Sequence, residues 1–145
     1  MQRAGSSLAK RRSGPPPSES DSHARDLAVA KWAIVLNHLA QAGVLRLAPG
    51  ESAEQVAREA LEPRATSTLA KRAGSLLRFI GWAGLHDVVA FPVDAGVARR
   101  YLREAAEQAA SRGESFLEAM AFLGHFFQVE VAAFASPISQ FVKYK

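Results

Sequence analysis

The sequence contains no cysteine. That absence excludes a disulfide scaffold, a thiol nucleophile and thiolate-bound zinc or iron–sulfur centres, and it argues against a small secreted domain. No apolar run approaches the roughly 20 residues that cross a bilayer, so no membrane is expected among the partners. Also missing are a glycine-rich phosphate loop, a His-Glu-x-x-His pair and an EF-hand loop. The four histidines, His23, His38, His86 and His125, stand apart, and none pairs with another at helical spacing. Carboxylates are plentiful, but most lie one turn from a base. Arg100 with Glu104 and Arg103 with Glu107 read as solvated helix-face pairs. No nucleophile–base constellation forms. The expectation is a chain with no catalytic residues, no metal and no cofactor, and one that is not an enzyme by itself.

What is present is the composition of one helical domain. The 145 residues are 48% hydrophobic and 22% charged, an ordinary globular balance. Alanine occurs 28 times, which favours helix. The net charge of +4 is unevenly spread. Residues 1–25 hold five basic and two acidic side chains, whereas residues 26–145 hold thirteen and twelve. Any hold on a polyanion therefore has to come from local clustering.

Residues 1–23 read as a disordered arm, basic and rich in proline and serine, with Pro15, Pro16 and Pro17 in a row. Lys10-Arg11-Arg12 within it suits a nuclear-entry or nucleic-acid patch. The Arg- and Ser-rich, acid-poor start resembles a transit peptide, although the prolines oppose the amphipathic helix such a peptide needs. A helical domain is expected over 24–130. Its first helix spans about 24–42, with Leu27, Ile34, Val35 and Leu39 on the apolar side and Gly43 as its C-terminal cap. A second helix spans about 52–61, opened by Ser52. A third spans about 67–83, capped by Thr66 or Ser67 and ended by Gly84, with Leu69, Ala73, Leu76, Ile80 and Ala83 at three-and-four spacing. A connector at 85–92 has strand-like residues. The fourth helix, about 94–111, starts from Asp94, and the fifth, about 115–128, from a Ser115/Glu118 capping box. Residues 131–145 read as an irregular tail. The fold class expected is all-α, a compact bundle of about five helices.

Between Pro63 and His86 no residue is acidic, while Arg64, Lys71, Arg72 and Arg78 are basic. With Leu69 at zero on a wheel of about 100° per residue, Arg78 falls at about 180° and Lys71 at about 200°. Trp82 follows at about 220° and Ser75 at about 240°. The apolar set lies within about 40° of zero. A stripe with two cations, a hydroxyl and an aromatic opposite the core suits a phosphate backbone, and the helix has the length to enter a major groove. On the fourth helix, Arg99 and Arg103 also oppose the apolar side.

The order of three segments carries a resemblance. STLAKRAGSLLRFIGW at 67–82 is followed by FPVDAGVARRYLREAAEQAA at 91–110 and RGESFLEAMAFLGHFF at 112–127. Through Thr68, Leu69, Arg72, Phe79, Trp82, Pro92, Val97, Tyr101, Leu102 and Ser115, this order resembles the N-terminal core-binding domain of tyrosine recombinases, the phage-integrase-like family. The resemblance spans about residues 25–130, and most of its positions are packing positions. It implies a SAM-like helical bundle that clamps one side of double-stranded DNA. By position it implies DNA contacts from Lys71, Arg72, Ser75, Arg78, Arg99 and Arg103. That family's catalytic domain needs a His-x-x-Arg box, which is missing here, and Tyr144 has no domain around it. Strand transfer is therefore not expected. The alternative is a helical protein-interaction module, a truncated or decayed recombinase fragment without DNA activity. It would self-associate through Phe122 and the apolar Phe134–Phe141 segment.

Overall fold

A computed structural model describes residues 19–127, which form five helices and no strand. They are α1 (Glu19–Gln41), α2 (Ala53–Ala60), α3 (Thr66–Leu85), α4 (Ala95–Gln108) and α5 (Ala110–Phe127). The all-α expectation holds. The basic arm up to residue 18 and the tail at 131–145, with its Phe134–Phe141 segment, lie outside the described residues.

Local chemistry explains most of the boundaries. Ser52 accepts the amide of Gln55 at 3.1 Å and opens α2, and Asp94 accepts the amide of Val97 at 3.1 Å and opens α4. Both are side-chain caps on otherwise orphaned N–H groups. α1 closes in a Schellman motif. Gly43 takes φ 78°, the Val44 amide reaches Leu39 O at 2.9 Å and the Gly43 amide reaches Ala40 O at 3.1 Å.

Several boundaries differ from expectation. α3 starts at Thr66 after Ala65, which makes no side-chain cap bond, so neither Thr66 nor Ser67 caps it, and α4 ends at Gln108 rather than 111. α1 begins at Glu19 rather than 24, and Asp21 places negative charge at the positive end of the helix dipole there. α3 runs past Gly84, because Asp87 takes the left-handed position at φ 56°. The Val88 amide then bonds Ala83 O at 3.0 Å and the Asp87 amide bonds Gly84 O at 3.3 Å. Aspartate tolerates that conformation better than most side chains. α5 begins at Ala110, so Ser115 lies inside it and forms no capping box. The break falls on Ala109 alone, which is extended at φ −159° and ψ 131°.

α3 lies between α1 and α5, while α2 packs on α1 and α4 on α5. The α1 interface centres on Trp32, fully buried, whose indole N–H donates to Leu69 O in α3 at 3.0 Å. Ala28, Val29, Val35, Leu36 and Leu39 are buried around it. Leu27 and Ile34, expected on this side, are 52% and 48% exposed. On the helical wheel both lie about 200–220° from Trp32, on the opposite face.

A second tie comes from Arg25. Its guanidinium donates to Leu61 O and Glu62 O at 2.9 Å each, to Arg64 O, and to Thr66 Oγ1 at 3.3 Å. It thereby satisfies the carbonyls at the end of α2 and holds the turn into α3. Charge-assisted bonds of this kind contribute about 1.5–3 kcal/mol. Arg25→Ala should therefore lower the unfolding free energy by about 2 kcal/mol in urea titrations. Arg25→Lys should recover less than half of the loss, because an ammonium cannot span the same fork of acceptors.

Candidate nucleic-acid interface

The buried face of α3 is broad. Leu69, Ala73, Ser75, Leu76, Phe79 and Ala83 are all buried. On the helical wheel, with Leu69 at zero, this set runs from about 240° through zero to about 40°. The extra width comes from Ser75 and Phe79, at about 240° and 280° on that wheel. The Phe79 ring meets Phe116 of α5 at 4.8 Å and Tyr101 of α4 at 5.1 Å. A helix covered from both sides buries more than the single stripe of an amphipathic surface helix.

That width revises the expected stripe. Ser75 is only 2% exposed, so its hydroxyl belongs to the core and not to the surface. Arg72, at about 300°, lies within the same arc. Its guanidinium pairs with Glu118 of α5 at 2.9 Å, and its Nε is buried without a partner. Arg72 therefore joins α3 to α5, with its charge already matched. Trp82 likewise binds within the fold. Its indole N–H donates to Glu104 at 2.9 Å, its ring stacks on His86 at 4.5 Å, and it meets Tyr101 edge-on at 5.3 Å.

Lys71 and Arg78 remain exposed on one face of α3. They are seven residues apart, about 10 Å along the axis. Among the described residues Lys71 has no acidic partner. Gly74 and Gly81 share this face, and a Cβ at either would meet nothing within 4 Å. The ridge is therefore low between two cations. On α4, Arg99 and Arg103 are exposed, as expected. Arg100 bonds Glu104 at 3.5 Å and lies 5.5 Å from the centre of the Trp82 ring.

Glu104 is the hub where α3 meets α4. The Trp82 indole N–H holds its carboxyl below the ordinary range, and His86 and Arg100 add to the effect. The His86 Nε2 lies 3.6 Å from the carboxylate, while its Nδ1 lies 2.8 Å from Trp82 O. Because a carbonyl only accepts, Nδ1 is the donor in that bond.

Two further groups lie beside Arg78. Tyr101 of α4 is buried, and burial raises its hydroxyl above the ordinary range while Arg78 and Arg112 oppose that rise. Arg112 lies in the first turn of α5. The sequence alone assigns it no role, because it places the residue between helices. No glycine or proline marks the break at Ala109. Among the described residues no group of three or more histidine, aspartate or glutamate side chains gathers to hold a metal ion, and no helix is long and apolar enough to cross a membrane. Comparison with protein-family models, curated proteins and solved structures finds no match to this chain.

A carboxylate held below its usual range contributes stability that is present above the ordinary value of 4.5 and lost as pH falls through the lower folded value. Glu104→Gln should therefore lower the urea midpoint at pH 7 and flatten its fall below pH 4.5. An acid limb unchanged from wild type would show that Glu104 is not held in this way.

Proposed function

We propose that the chain is a non-catalytic module that binds double-stranded DNA by its phosphate backbone, through the exposed face of α3 and the exposed arginines of α4. The observation that carries this reading is the pairing of Lys71 and Arg78 on one exposed face, within a stretch from Pro63 to His86 that has no acidic residue. Phosphate contacts of this kind supply most of non-specific affinity. The surface set on this reading is Lys71, Arg78, Arg99 and Arg103. Arg72 and Ser75 leave it, the first for its pairing with Glu118 and the second for its burial.

The likeness to a recombinase core-binding domain belongs to the same reading and rests on the motif residues alone. Leu69, Phe79, Tyr101 and Leu102 are buried where helices meet, and Trp82 joins α3 to α4. These positions support shared packing more than shared contacts. The interaction-module reading has its own observation. Leu27 and Ile34 share an outward face of α1, and Leu85 at the end of α3 is 87% exposed.

Fluorescence anisotropy of the full chain with mixed-sequence duplex, taken as a function of salt, tests the DNA reading. Log affinity should fall with log salt at a slope of about 0.9 per phosphate contact. The Lys71→Ala/Arg78→Ala double variant should lose about two contacts of slope on every sequence alike. Absence of binding at low salt, or equal binding by the double variant, overturns the reading in favour of an interaction module.

A further inference from the structure

A groove of about 510 Å³ runs between the C-terminal half of α3 and α4 and ends at the first turn of α5. Three helices supply its polar lining: Arg78 and Trp82 from α3, Tyr101, Glu104 and Gln108 from α4, and Arg112 from α5. The exposed Arg78 thus connects the outer ridge of α3 to this recess. We propose that the groove seats one phosphate group, held by the guanidiniums of Arg78 and Arg112 and by the Tyr101 hydroxyl. The proposal rests on the duplex reading for the source of that phosphate, a backbone phosphodiester, and adds Arg112 and Tyr101 to the contact set.

The chemistry fits an oxyanion with several acceptors. Each guanidinium carries five donors in a planar fork, so Arg78 can face Tyr101 and still present N–H groups to a ligand. Arg112 is steadied by the side chain of Gln108, which leaves its remaining donors available. A tyrosine hydroxyl is protonated at neutral pH and burial only raises it further, so Tyr101 enters the groove as a donor and not as a competing anion. The carboxylate in the groove is Glu104, which accepts the Trp82 indole N–H and pairs with Arg100. The cations at the Arg112 end therefore have no anion of their own among these lining residues. The single-residue break at Ala109 turns α5 so that Arg112 faces the same recess as Arg78.

Two readouts on the full chain test the seat. In the first, inorganic phosphate is titrated while the arginine Nε–H resonances and the Tyr101 ring signals are followed by NMR. Arg78, Arg112 and Tyr101 should shift together and saturably. Arg58, engaged by Asp26 and Glu54, should not. Arg112→Gln should abolish saturation. Tyr101→Phe keeps the ring packing on Phe79 and Phe116 and should weaken phosphate binding several-fold. In the second readout, Arg112→Gln should reduce the salt slope of duplex binding by about one contact. If phosphate moves neither arginine, or if Arg112→Gln leaves its titration unchanged, the seat is wrong, whatever the duplex result. If phosphate saturates the groove but duplex does not bind at low salt, the seat stands, the duplex reading falls and the ligand is a free phosphate or phosphomonoester. If phosphate saturates but the duplex slope is indifferent to Arg112, the seat stands and the backbone as its source is overturned.

Discussion

Cover on both sides of α3 is the constraint on which the rest of the molecule depends. α1 reaches it through Trp32, whose indole bonds a carbonyl of α3, and α5 reaches it through the Phe79–Phe116 contact and the Arg72–Glu118 pair. Each contact draws α3 residues inward that a helix with one partner would leave in water. The exposed remainder is a narrow ridge, and the acid-free stretch of sequence places cations on it. Packing thus decides which of the basic residues are surface charges and which are internal ties.

The same constraint organises the aromatic cluster. Phe79 is the point where α3, α4 and α5 converge, with Phe91 of the connector packed edge-on at 6.1 Å. Around it Trp82, Tyr101 and Phe116 make contacts of about 0.5–1.5 kcal/mol each beyond simple burial. At the rim of this cluster the polar ends of Trp82 and Tyr101 find partners, Glu104 for the first and the arginines for the second. Rings that glue the helices together therefore also fix where the neighbouring charges stand, and this links the core to the candidate interface.

Helix existence and several caps were legible in the sequence, because they are local. Ser52, Asp94 and Gly43 act at the positions their chemistry predicts. The outward pointing of Lys71, Arg78, Arg99 and Arg103 was legible too, since all four oppose buried residues on their own helix. What depended on a second or third partner was not legible. Ser75 and Arg72 lie on the flank of α3, where the neighbouring helices decide their burial, α5 through Glu118 in the case of Arg72. Leu27 and Ile34 read as inward because one apolar residue looks like another until Trp32 fixes the rotation of α1. Arg25 reaches across to the α2–α3 turn, a contact with no local signature. The break at Ala109 carries no helix-breaking residue, so the place of Arg112 beside Arg78 was hidden.

The central claim is that the low cationic ridge of α3 is the surface a duplex meets. Its most direct test is an amide-resolved NMR titration of the full chain with a short mixed-sequence duplex at low salt. The account predicts that the largest shifts fall on Lys71, Gly74, Arg78 and Gly81, with a second group at Arg99 and Arg103, and that they fade as salt is raised. Shifts confined to the Leu27–Ile34 face of α1, or absent from α3 altogether, would contradict it.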